Sequence, residues 1–174
     1  GVGKSAFLLD IAESAARAGN ETLFVSLEMS AAELTERLLA RRSMATMDNL
    51  IDRDLNDETW TDIAAVSNRL ERLPLHFWDK PAVTVNKIRG AAATIQNLRL
   101  IVVDYIGLMM SSSNFSDRHL QVSEISRGLK LLARELDMPI IDEHYYEPRT
   151  YFLEKRQYDN YPRTRKTKVY LGEY

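Results

Sequence analysis

Two short segments constrain this chain more than anything else in it: Gly1-Val2-Gly3-Lys4-Ser5 at its start, and Leu100-Ile101-Val102-Val103-Asp104, an apolar run that closes on an acid. A glycine-rich turn feeding a helix lets backbone N–H groups approach phosphate oxygens, while a lysine reaches the β/γ-phosphates and a serine hydroxyl ligates Mg²⁺. An acid at the end of a neighbouring strand holds the same ion from the other side. Gly1, Gly3, Lys4, Ser5 and Asp104 are therefore the expected nucleotide-binding set, with Ser5 and Asp104 as the Mg²⁺ ligands. A Gly-Lys-Ser tripeptide alone is an ordinary turn before a helix, and a strand can end on an acid for no chemical reason. Their combination in one chain carries the reading. The full loop G-x-x-x-x-G-K-[ST] needs an earlier glycine that lies before Gly1, so the chain is expected to be a piece of a longer protein.

The rest of the pattern supplies the frame such a site needs. Phe7, Leu8, Ile11, Ala12 and Ala15 recur at helical spacing as far as about Arg17, and Gly19-Asn20 is a stop signal. The run from Thr22 to Leu27 suits a buried parallel strand, followed by Glu28 and Met29. Ser30-Ala31-Ala32-Glu33 fits a capping box for a helix lined by Leu34, Leu38 and Leu39. A further helix is expected over 57–73, with Trp60, Ile63, Ala64, Ser67 and Leu70 on its inner stripe and Pro74 ending it. The segment from Leu75 to Asp79 reads as a strand before the Lys80-Pro81 turn, and Thr84 caps a helix through Val85, Ile88, Ala92 and Ile95. A polar loop from Ser111 to Asp117 precedes a long amphipathic helix carrying Val122, Ile125, Leu129, Leu132 and Leu136, and Pro139-Ile140-Ile141 opens one more strand. Alternating strands and helices predict an α/β fold with a mostly parallel sheet covered on both faces.

Composition narrows the function classes. The absence of cysteine removes disulfides, thiolate metal sites and cysteine nucleophiles. A net charge of −2 supplies no global basic field, although a local loop can still bind nucleic acid. No apolar run reaches the ~18–20 residues of a membrane span, and cytoplasm is the expected location. Seven of the eight tyrosines lie beyond Asp142, interleaved with Arg149, Lys155, Arg156, Arg163, Arg165, Lys166 and Lys168, so the chain divides into a domain over 1–141 and a Tyr/basic segment over 142–174. That segment reads first as a poorly packed charged tail. Aromatics mixed with cations also suit stacking on single-stranded nucleic acid.

Glu28 has two readings from spacing alone. It is placed for a general base that polarises an attacking water, and equally for a carboxylate supporting the helix that follows. His76, His119 and His144 lack ligand spacing and read as core or surface residues, and Met109-Met110 reads as core packing.

Several runs together resemble a known family. Leu23-Phe24-Val25-Ser26-Leu27-Glu28-Met29-Ser30, then Glu33-Leu34-Thr35-Glu36-Arg37-Leu38-Leu39-Ala40, are similar to the core of the bacterial replicative DNA helicases of the DnaB family. The similarity continues through Pro74-Leu75 to Asp79, Ile101-Val102-Val103-Asp104-Tyr105 with Leu108-Met109, and Gln121-Val122-Ser123-Glu124-Ile125-Ser126-Arg127 with Leu129-Lys130 and Leu132-Ala133. It runs from Gly1 to about Ile141. The resemblance implies a RecA-like P-loop ATPase domain in a hexameric ring around single-stranded DNA, with ATP and Mg²⁺ at subunit interfaces and a primase and a helicase loader as partners. It also implies roles: Lys4 and Ser5 on phosphate and Mg²⁺, Glu28 as the catalytic carboxylate, Asp104 as the acid on the Mg²⁺ side. The chain departs from the family at Ile141-Asp142-Glu143-His144-Tyr145-Tyr146, where a Ser-Gln-Leu sensor is expected, and it shows no counterpart of the family's later DNA-binding loops or arginine finger. Two rival readings follow: a noncatalytic nucleotide-binding or interaction module, and a recombinase-type ATPase on the same core.

Overall fold

The computed structural model of the chain describes residues 3–111, 116–144 and 166–170, with residues 143, 144 and 166–170 described by their backbone alone. Helix α1 (Lys4–Arg17) starts directly at the glycine-rich turn. Gly3 caps it at φ 104, a left-handed conformation that glycine adopts without steric cost. Strand β1 (Glu21–Ser26) buries five of its six residues, as a strand covered on both faces must. Helix α2 (Ala31–Arg42) begins with the expected capping box: Ser30 Oγ accepts from the Glu33 N–H, and the Glu33 carboxylate accepts the Ser30 N–H at 2.8 Å. Next come α3 (Met47–Asp52), α4 (Asp57–Leu70), β2 (Leu75–Trp78), α5 (Val85–Ala92) and β3 (Leu98–Asp104). A single 3₁₀ turn (Ile106–Leu108) leads towards α6 (Arg118–Leu136), β4 (Ile140–His144) and β5 (Lys166–Tyr170).

The sheet runs in the order β2-β1-β3-β4-β5. The first four strands are mutually parallel, and β5 pairs antiparallel with β4, Ile141 opposite Val169. Because side chains alternate across a strand, β1 serves two cores. Phe24 packs with Leu8, Leu9, Leu34 and Val102 beneath α1 and α2. Leu23 and Val25 pack with Ile88, Ile101, Leu129 and Leu132 beneath α5 and α6. The mostly parallel, doubly covered sheet anticipated from the alternation is thus present.

Three local expectations are corrected. On α4 the buried residues are Ile63 and Val66, whereas Trp60 is 53% exposed and Ala64 also faces solvent. At about 100° per residue the two lie on the flank of the Ile63–Val66–Leu70 stripe. Helix α5 ends at Ala92, and Ile95 packs on the core from the turn beyond it. Met109 is buried as expected, but Met110 is exposed.

Candidate functional site

Strand order creates the site. β1 and β3 are direct neighbours, with Ser26 in register with Asp104. The Leu27 N–H donates to the Asp104 carbonyl at 2.8 Å, so the turn leaving β1 is tied to the end of β3. Glu28 is exposed on that turn, between β1 and the capped start of α2. On the other side, the first turn of α1 brings Lys4 and Ser5 to the same edge of the sheet.

Asp104 is the electrostatic centre of this cluster. It is 1% exposed and accepts a hydrogen bond from the Ser5 hydroxyl, while its Oδ2 has no hydrogen-bond partner. Burial pushes its carboxyl above the usual range because desolvation disfavours the charged form. The charge of Glu28 pushes the same way, against the Ser5 hydrogen bond and the fields of Lys4 and Arg37. Lys4 Nζ lies 5.8 Å from the centre of the Tyr105 ring, a cation–π distance. Nothing lies within 4 Å of where a Gly3 side chain would begin, and the leading N–H groups of a helix have no intrahelical acceptor, so the entrance to α1 is open to an anion.

The arrangement fits Mg²⁺ and a phosphate chain. A buried carboxylate oxygen without a partner, beside a serine hydroxyl, is a hard-oxygen pair of the kind Mg²⁺ takes when phosphate and water complete its octahedron. Among the described residues no three His, Asp or Glu side chains gather into a metal cage, which that mode of binding does not need.

Gly3, Lys4, Ser5, Glu28 and Asp104 therefore come together, while Gly1 lies outside the described residues. Histidines stay apart: His76 pairs with Glu21 at 2.7 Å, and His119 is exposed at the start of α6. His144 lies outside the described side chains, as does most of the Tyr/basic segment. Arg37, on α2, joins the site with no local motif to mark it; only the packing of α2 brings its charge to bear on Asp104. No helix among the described residues is long and apolar enough to cross a membrane.

The family model for the DnaB-like helicase C-terminal domain matches residues 1–143. The chain belongs to the DnaB-like helicase C-terminal domain family. Among similar proteins, the replicative DNA helicase DnaB of Leifsonia xyli subsp. xyli is 36% identical over 144 residues, covering 80% of this chain and 32% of that protein. DnaB of Geobacillus stearothermophilus is 37% identical over 145 residues with the same coverage, so this DnaB-family chain spans about a third of the length of these relatives. A DnaB-like replicative helicase, solved together with its interactions with primase, matches the fold at a TM-score of 0.71 and 28% identity, over 79% of this chain and 36% of that one. A second solved structure, an ATPase domain, matches at the same score and identity over 51% of its length. The helicase family's RecA-like architecture is thus the architecture of this sheet.

Proposed function

We propose that this chain is the nucleotide-hydrolysing part of a replicative DNA helicase, which couples ATP hydrolysis to movement along single-stranded DNA and duplex unwinding. The observation that carries it is Asp104, buried and bonded to Ser5, with a free carboxylate oxygen at the mouth of the α1 turn. Lys4 and the α1 N-terminus would bind the β/γ-phosphates of ATP, and Ser5 and Asp104 would hold Mg²⁺. Bound Mg²⁺ would neutralise charge that develops on the phosphates. Glu28, exposed on its turn and near enough to raise the Asp104 carboxyl, would accept the proton of the attacking water.

The family likeness supports further parts of the reading: a cytoplasmic homo-hexamer around single-stranded DNA, with a primase and a helicase loader as partners. We also propose the division at residue 141/142, supported by the end of the family match at residue 143. The departure at 142–146 favours a second reading, a module that binds nucleotide without turnover; an arginine finger supplied in trans is worth roughly 10³–10⁵ in rate in related systems.

The test is equilibrium binding of a fluorescent ATP analogue with and without Mg²⁺, followed by hydrolysis. Mg²⁺-dependent binding that Lys4→Ala abolishes supports the nucleotide site, and binding unchanged by Lys4→Ala refutes it. Hydrolysis that falls to a small residual rate in Glu28→Gln supports the helicase reading; binding with no turnover selects the second.

A further inference from the structure

The turn that carries Glu28 is closed by a single hydroxyl. Ser26 ends β1, is 1% exposed and stands in register with Asp104. Its Oγ donates to the Met29 carbonyl at 2.6 Å and accepts the Met29 N–H at 3.2 Å. Both backbone polar groups of Met29 thus converge on one buried atom, and Leu27-Glu28 is the short span held between. The two flanks are fixed as well. Leu27 N–H is held by the Asp104 carbonyl, and the Ala31 N–H donates at 2.9 Å to the Asp79 carboxylate, 48 residues away just past the end of β2. Glu28 itself is exposed, so what the fold holds here is the backbone that carries its side chain, not the carboxylate by packing.

We infer that Ser26 is a positioning residue for Glu28: its hydroxyl fixes the backbone from which the Glu28 carboxylate reaches the phosphate end of the site. The inference rests on the role proposed above for Glu28. Both hydrogen bonds of the Ser26 hydroxyl go to Met29, so it governs where the base stands and not whether nucleotide binds. Alanine removes only the hydroxyl at this position, and threonine restores it.

Steady-state ATP hydrolysis by the full chain separates this from a merely structural role. Ser26→Ala lowers kcat about 10–100-fold, the scale of a small misplacement of a reacting group, while KM for ATP stays within about twofold because the phosphate contacts are untouched. In a Glu28→Gln background Ser26→Ala costs nothing further, since the two act as one unit, and Ser26→Thr recovers most of the rate. Losses that multiply in the double variant, or a Ser26→Ala enzyme as fast as wild type, overturn the inference. Amide hydrogen exchange gives a readout that needs no turnover. The Met29 amide, whose N–H the Ser26 hydroxyl accepts, exchanges at least about tenfold faster in Ser26→Ala while the β1 amides of residues 22–25 keep their protection; unchanged exchange at Met29 also overturns it. Failure of the nucleotide reading shows separately, as analogue binding indifferent to Lys4→Ala.

Discussion

Replacing Arg42 by methionine tests how α2 is held on α1. Glu13 is buried on α1, 1% exposed, and takes a two-pronged ion pair from Arg42, whose Nε and Nη2 lie 2.8 and 2.9 Å from its two oxygens. Arg17 stands further off at 3.8 Å, beyond hydrogen-bond reach. Arg42→Met keeps much of the stem packing but leaves Glu13 without its partner. Stripping one member from a buried pair costs about 3–5 kcal/mol. Arg42 is itself 38% exposed and Arg17 stays near, which places this case at about 2–3 kcal/mol. For a chain of this size that is a fall in Tm of about 5–10 °C. Glu13→Met with Arg42 intact costs less, about 1–2 kcal/mol, because the guanidinium can turn to water. The double variant, with two apolar chains of similar length, returns to within about 1 kcal/mol of wild type. Reversible urea unfolding followed by circular dichroism measures all four proteins. Simple addition of the two single losses in the double variant would refute the reasoning, since it would mean that the pair carries no coupling.

Stability should also respond to pH through Asp104. Its folded carboxyl is raised, so its contribution is present below the unfolded carboxylate range and is lost as pH rises through the folded value. Asp104→Asn should therefore gain on wild type in urea midpoint as pH rises above the ordinary carboxylate value of about 4, measured without Mg²⁺; a difference that does not change with pH contradicts the shift. Glu33 has the opposite sign: its carboxyl is lowered by the Ser30 backbone and hydroxyl donors, so the stability it adds is present above the usual value and is lost as pH falls. Glu33→Gln should flatten the acid limb of the stability curve. Leu129 is fully buried on the inner face of α6, and Leu129→Ala should cost about 2–5 kcal/mol in the same assay.

The elements were more legible than their arrangement. The continuous apolar runs of β1 and β3 and the Ser30–Glu33 box were readable because each is a local consequence of its own residues. α3 has no legible signature, because six residues are too few for a period and its box closes with Asn49 in place of Glu or Gln. Lateral strand order leaves no trace in periodicity, so the meeting of Glu28 with Asp104 had to come from the structure or from family likeness. The same holds for Arg37 and for Asp79, whose effects cross from one element to another. Trp60 shows the limit of a helical stripe: spacing names a face, and only the neighbouring helix decides how wide that face is.

The pairing of β1 with β3 also sets an order of events during synthesis. Thr22 pairs with Leu100, so the two strands that frame the site are separated by most of the chain that leads to them. At about 5–20 residues per second, Ser5 leaves the ribosome roughly 5–20 s before Asp104. Through that interval the turn that starts α1 exists without Asp104 opposite it, and the edge of β1 that pairs with β3 waits for a partner. On the nucleotide reading proposed above, a nascent chain cannot complete the site before the centre of the sheet has formed.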